Sequence, residues 1–269
     1  SVSSAASDVY KRQHEHMTAF SANLGFLWTD RPLVDAIHAA CAAGFDAVEC
    51  HWPYTDDACA VKAALDATGL VMLGMNTARG NVAAGETGLA ALDGRNNDAR
   101  ADIDAALAYA ALINCPKIHV MAGCAEGDPA ERCFIDNLRY ATARANNVTF
   151  LIEPLNHHDA PGYFLNHTDQ ARRIIDAVGA PNLKLLFDCY HIQILEGDLT
   201  RRLSANLDII GHIQFAGVPT RGRPDHGEVN YRHIFAHLAE LEYASPLGAE
   251  YRPEKGDTDA SLGWMDLLR

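Results

Sequence analysis

Four residues in the second half of the chain place oxygen donors at the ends of apolar runs: Glu153 in FLIEP, Asp188 in LKLLFDCYH, Gln214 in IIGHIQFAG and Glu250 in PLGAEYRP. They follow one another at spacings of 35, 26 and 36 residues. Each interval is close to the length of one strand–helix–strand unit. Three carboxylates and one amide carbonyl are hard oxygen ligands, suited to Mg²⁺ or Mn²⁺; zinc would draw more His or Cys. Without a cation, carboxylates gathered at one point would raise one another's pKa. A divalent ion holding adjacent carbonyl and hydroxyl oxygens of a small substrate acidifies the C–H between them. One carboxylate can then remove that proton and a second can return one to the neighbouring carbon. Glu153 and Glu250, the longer-reaching pair, are assigned these acid and base roles, with Asp188 and Gln214 as ligands only.

Further candidates lie close by in sequence. His191, three residues after Asp188, is expected either to hydrogen-bond a substrate hydroxyl or to orient Asp188. Asn156 and His157 follow Glu153 and are placed at the pocket wall. Glu228, in PDHGEVNY, is expected to orient His226 or a ligand. Trp28 and Trp52 offer apolar walls and fit a core or interface role equally well.

To bring such residues together, the chain needs a scaffold that repeats one unit. From Ala19 onward, short β-like runs alternate with helical stretches. Strands are expected at 19–23, 47–49, 71–76, 117–121, 148–153, 183–188, 209–214 and 247–250. Helices are expected at 32–44, 56–68, 97–112, 129–146, 168–178 and 231–241, with a short last one near Ser261. Asp30 and Thr168 are read as helix caps. The runs close on Asn23, Glu49, Asn76, His119, Glu153, Asp188, Gln214 and Glu250. Any one of these taken singly could cap a helix or meet water. Eight strands closing in this way converge on one mouth of a single (β/α)8 TIM barrel of class α/β. The competing open doubly wound sheet lacks its GxGxxG signature here. Long loops at 77–94, 156–166 and 216–230 all follow strands, as the active face of a barrel requires.

Bulk properties agree. The 269 residues are the length of one such domain, and 48% hydrophobic content supplies its core. The net charge of −13 argues against a nucleic-acid groove. No apolar run reaches a membrane span. Seven cysteines without a CxxC pair read as reduced thiols of a cytoplasmic protein. Residues 1–16 lack apolar periodicity and a signal-peptide core, and are read as a disordered leader or an expression remnant, with the barrel domain at 17–269. The sequence is compatible with a homo-oligomer and does not specify one.

On FSANLGFLWTDRP, AGFDAVECHWPY, GNVAAGETGLAALDGR, KIHVMAG, IEPLN, FDCYHIQILEGDL, HIQFAGVP, HGEVNY and GAEYRP, the chain resembles the hydroxypyruvate isomerase family of the xylose-isomerase-like barrels. The resemblance spans about Phe20 to Pro253. It implies interconversion of hydroxypyruvate and 2-hydroxy-3-oxopropanoate (tartronate semialdehyde). It also implies a metal held by Glu153, Asp188, Gln214 and Glu250, with Glu153 and Glu250 catalytic. The same family holds isomerases of four-carbon 2-oxo-tetronates. Ketose 3-epimerases share the barrel, with a histidine typically standing where this chain has Gln214. The chain departs from common members at ECHWPY and MNTARGN, both in loops expected to touch substrate. Either acid substrate carries a carboxylate, which an acidic protein must neutralise locally. Arg79, Arg221, Arg223 and Arg252 are the candidates, and Arg221 is the one carried forward as substrate-binding.

Overall fold

The computed structural model describes residues 18–269, so residues 1–16 and the expected start at Met17 lie outside the described part. Eight parallel strands form one sheet: β1 Phe20–Asn23, β2 Ala47–Glu49, β3 Met75–Asn76, β4 Lys117–His119, β5 Thr149–Ile152, β6 Leu183–Asp188, β7 Ile210–Phe215 and β8 Leu247–Ala249. Their order is β2-β1-β8-β7-β6-β5-β4-β3. Val48 and Met72 form a parallel bridge across the seam between β2 and β3, where Leu73 N–H also donates to the Val48 carbonyl at 2.7 Å. That seam nearly closes the cylinder, and it leaves β3 shorter than the 71–76 run expected.

Around the barrel lie α1 Leu33–Ala42, α2 Ala58–Thr68, α3 Asn96–Ile113, α4 Gly127–Arg144, α5 Thr168–Val178, α6 Cys189–Leu195, α7 Leu199–Asn206, α8 Tyr231–Glu240 and α9 Met265–Leu268. Two expected caps are corrected. α1 begins behind Pro32 with no side-chain cap, and Asp30 instead pairs with Arg31. Pro32, the N-cap residue with ψ 152°, has no side-chain acceptor to offer the N–H groups of the first turn. Thr168 is the first residue of α5 rather than its cap. Its N–H and hydroxyl both go to the Glu196 carboxylate, at 3.0 and 3.2 Å. The sequence reading also placed no helix between β6 and β7, where α6 and α7 lie. α6, CYHIQIL, has no polar face to reveal it because its first four residues are all buried. α7 is only eight residues long, turning Leu199, Leu203 and Asn206 inward. The last helix, expected near Ser261, starts at Met265 after a 3₁₀ segment at Asp259–Trp264.

One aromatic cluster ties β1, β7 and α8 to the segment before the last helix. Phe20 of β1 and Phe215 of β7 pack on Trp264 at centroid separations of 5.0 and 5.5 Å, and Phe235 of α8 packs on Phe215 at 5.0 Å. Each such ring contributes roughly 1.5–3 kcal/mol by leaving water. All seven cysteines are free thiols. Among the described residues no helix is long and apolar enough to cross a membrane.

Candidate active site

Of the side chains singled out at the strand ends, Glu153 and Asp188 come together beside His191, Glu250 is joined to Asp188 through Arg221, and Gln214 donates to Glu49. Asp188 closes β6 and Gln214 is its register partner on β7. Glu153 and Glu250 each stand one residue past the assigned ends of β5 and β8. All four are buried, as are His191, Asn156 and Arg221.

Local structure fixes how each presents itself. Asp188 is also the N-cap of α6: Oδ1 accepts from Tyr190 N–H at 2.9 Å, leaving Oδ2 free to face the site. The backbone N–H of Asn156 donates into His191 Nδ1 at 3.0 Å, and the Asn156 amide lies 2.8 Å from the same atom. An Nδ1 that accepts a backbone N–H carries no proton, so the neutral ring bears its hydrogen on Nε2. Nε2 lies 3.6 Å from Asp188 Oδ2. A metal-ligating imidazole shows the reverse pattern, donating its second N–H outward. His191 therefore faces the site as a donor.

Arg221 sits among the carboxylates. Its Nη2 lies 2.6 Å from Glu250 Oε2 and 3.5 Å from Asp188 Oδ2, and its Nη1 lies 3.3 Å from Asp159 Oδ2. The guanidinium is stacked between Phe26 and Tyr190, at 4.8 and 4.9 Å from their ring centres. Its backbone holds a positive φ of 55°, a conformation that costs a non-glycine residue about 1–3 kcal/mol. Its carbonyl is tied to the N–H of Arg252 at 2.7 Å.

The other candidates fall elsewhere. Glu228 is exposed and bonds Gln193 at 3.1 Å, while His226 is nearest to Asp225 at 3.9 Å, so Glu228 is not brought into the cluster. The His157 ring lies 4.0 Å from that of His158, tilted by 48°. Arg223 is paired with Asp225, and Arg79 lies over Trp52 at 3.9 Å. Trp28 is buried in the core, with its indole N–H on Asp259.

Three contacts were not assigned from sequence. His51 Nε2 lies 2.7 Å from Glu250 Oε1, and Asn23 donates to the same oxygen at 3.0 Å. The His51 ring is flanked by Phe26 and Trp52, each 5.0 Å away, and it occupies the space a side chain at Gly25 would need. His119 Nδ1 lies 3.4 Å from Glu153 Oε2 without hydrogen-bond geometry. Asn23 and His119 were visible as strand-end polar residues, and His51 as a histidine two positions past Glu49. Nothing in the sequence said which carboxylate each would meet.

These surroundings separate the two glutamates. Burial acts to raise the Glu250 carboxyl, but Arg221 and His51 outweigh it and hold it at about 2. Burial, reinforced by the charges of Glu250 and Asp188, pushes Glu153 well above the ordinary carboxylate range. Burial likewise pushes Asp188 up to about 8, against the pull of Arg221. Burial lowers His119 to about 4 and, with Arg221, takes His191 well below its ordinary value.

Glu153, Asp188 and His191 bring side-chain atoms within 4.8 Å of one another in a buried group; with His191 a donor, the two carboxyls are its ligands for a metal ion. Among the described residues, Glu153 Oε1 and Gln214 Oε1 are buried with no hydrogen-bond partner. Orphaned oxygens beside buried carboxyls fit a hard divalent cation.

A pH dependence follows. The folded-state value of Asp188, about 8, lies above its ordinary 3.8, so its contribution to stability is full below about pH 4 and is lost as pH rises through 8. The buried neutral histidines act with opposite sign, but only below their ordinary 6.5. From pH 6.5 to 8 the EDTA-treated protein is expected to melt progressively lower. Saturating Mn²⁺, which needs the carboxylates deprotonated, is expected to raise the melting temperature more at pH 8 than at pH 6.5. Differential scanning fluorimetry reads both, and an equal Mn²⁺ gain at the two pH values would remove the carboxylates from the binding site.

A sequence profile of the xylose isomerase-like TIM barrel family matches residues 37–268. The chain belongs to the xylose isomerase-like TIM barrel family. Within it, a 2-oxo-tetronate isomerase of Cupriavidus necator is 48% identical over 256 residues, covering 93% of this chain and 98% of that protein. A hydroxypyruvate isomerase of Escherichia coli K12 is 37% identical over 259 residues, covering 94% of this chain and all of that protein. A crystal structure titled AP endonuclease, family 2, from Brucella melitensis superposes with a TM-score of 0.90 at 38% identity, covering 94% of this chain and 100% of that one. With such relatives this member of the xylose isomerase-like barrels is an isomerase, and the hydroxypyruvate isomerase resemblance seen in its motifs stands.

Proposed function

We propose that the protein interconverts the aldose-like and ketose-like forms of a small hydroxy-oxo acid by proton transfer between Glu250 and Glu153. Hydroxypyruvate and 2-hydroxy-3-oxopropanoate form the three-carbon pair. The four-carbon 2-oxo-tetronate reading is favoured by the higher identity to the Cupriavidus relative. The observation carrying the proposal is the unequal pair of buried glutamates around Arg221 at one barrel mouth. Two carboxyls whose surroundings push their pKa values apart are suited to opposite proton-transfer roles.

Glu250, kept ionised by Arg221, His51 and Asn23, takes the proton from the hydroxyl-bearing carbon. Glu153, the carboxyl that more readily keeps a proton, serves the neighbouring carbon. The hydroxyl proton moves to the former carbonyl oxygen, so the product has the composition of the substrate. His191 Nε2–H donates to a substrate oxygen, and Arg221 receives the substrate carboxylate. Glu153, Asp188, Gln214 and Glu250 would hold Mg²⁺ or Mn²⁺. When bound, such an ion neutralises the carboxylates and polarises the substrate's oxygens. The free cysteines fit a reducing cytoplasmic setting.

Phosphoester hydrolysis, the chemistry of an endonuclease, needs a His-rich multi-zinc cluster and a basic face. The net charge of −13 and a cluster of two carboxylates with one donor histidine weigh against it. The test is ¹H NMR of each candidate acid with purified enzyme in ²H₂O, with and without EDTA. The carbonyl position is expected to change, and EDTA to abolish the change until Mn²⁺ is restored. A change of configuration alone would make the protein an epimerase, and no conversion of either acid would end the proposal.

A further inference from the structure

One buried carboxylate, Glu49, is left unused by the proposed chemistry. Glu49, the last residue of β2, is only 3% exposed and reaches across β1 and β8 to β7. Its Oε1 accepts the Ser21 hydroxyl at 2.6 Å. Its Oε2 accepts Gln214 Nε2–H at 2.7 Å and faces His212 Nε2 at 3.1 Å. The path is kept open by Gly248 of β8, where a Cβ would stand 2.2 Å from Glu49 Oε1.

An ionised carboxylate accepts and never donates. The atom of Gln214 that faces Glu49 must therefore be the NH₂. The carbonyl oxygen is then the atom left over, and Gln214 Oε1 is the one that finds no partner. With a neutral amide at position 49 this constraint disappears, because two amides can pair in either sense. We propose that Glu49 is a positioning residue that fixes the Gln214 amide so that its carbonyl oxygen, and not its NH₂, is presented to the cation shared with Asp188 and Glu153. The inference rests on the metal-assisted reading above and extends it to a residue that touches neither ion nor substrate.

The probe is Mn²⁺ alone, titrated by isothermal calorimetry and by the EPR signal of the free ion. Glu49→Gln, nearly isosteric, is expected to weaken Mn²⁺ binding about 10- to 100-fold, the usual effect of losing a partner behind a metal ligand. Gly248→Ala, whose Cβ would stand 2.2 Å from Glu49 Oε1 and 2.8 Å from Gln214 Cγ, crowds both side chains and is expected to weaken it at least as far as Glu49→Gln does. In a Gln214→Met background there is no carbonyl to aim, so adding Glu49→Gln should change affinity by less than about twofold. Wild-type affinity in Glu49→Gln would overturn the inference. So would an equal loss in the Gln214→Met background, which would mean that Glu49 acts only through its charge. Wild-type protein that binds no Mn²⁺ would overturn both this inference and the metal-assisted reading, whereas Mn²⁺ binding that is indifferent to Glu49 would overturn this one alone.

Discussion

Glu250→Gln and Glu153→Gln are each expected to lower kcat by roughly 10²–10⁴-fold, the usual contribution of a positioned acid or base, with the barrel still folded. The two variants should differ in stability. Glu153 is buried and held well above the ordinary carboxylate range, so a neutral isostere removes the cost of burying charge there. Glu153→Gln should melt at or above the wild-type temperature when no metal is present. Glu250 accepts from Arg221, Asn23 and His51, and Glu250→Gln leaves a buried guanidinium with only its weaker contacts to Asp188 and Asp159. Breaking a buried pair in this way costs about 3–5 kcal/mol, so Glu250→Gln should melt clearly lower. Steady-state assays and thermal melts check both halves. Wild-type-like turnover in both variants would refute the assignment of the two glutamates.

Arg221→Met is expected to lower kcat/KM by about 2–5 kcal/mol in transition-state terms, roughly thirty-fold to several-thousand-fold, because a buried charge partner is lost at the proposed substrate carboxylate. The loss should fall mainly on KM. Arg221→Lys should recover only part of it. The guanidinium serves Glu250, Asp188 and Asp159 at once and lies flat between Phe26 and Tyr190, which a point-like ammonium cannot reproduce. Arg221→Met should also melt lower than wild type in EDTA, since Glu250 loses its main neutralising partner. An unchanged KM with normal stability would move the carboxylate site elsewhere, to Arg252 in the first instance, whose guanidinium lies over the same Phe26 ring at 5.1 Å.

How far the site was legible depended on whether the signal was local. Glu153, Asp188, Gln214 and Glu250 each close an apolar run, and a strand end is a local property, so a barrel places these four positions at one mouth. His191 was legible as a neighbour of Asp188, but its role was not. The choice between hydrogen donor and ligand is made by the backbone N–H of Asn156, 35 residues away. Glu228 shows the opposite failure. It stands in a distinctive motif, HGEVNY, yet its side chain meets Gln193 at the surface. Glu49 was noted only as another strand end, because no local pattern says that Gly248, 199 residues later, leaves room for it to reach β7.

The order of the eight strands and the single barrel were determined by the sequence itself, whereas α6 and α7 were not. Hydrophobic period and strand-end polarity are set residue by residue along the chain. Only the tertiary structure decided which glutamate is kept charged, which nitrogen of His191 carries the proton, and which atom of Gln214 is left without a partner. Charge state and hydrogen-bond direction depend on what lies within a few ångströms, and around Glu250 those neighbours come from β1, the loop after β2 and the loop after β7.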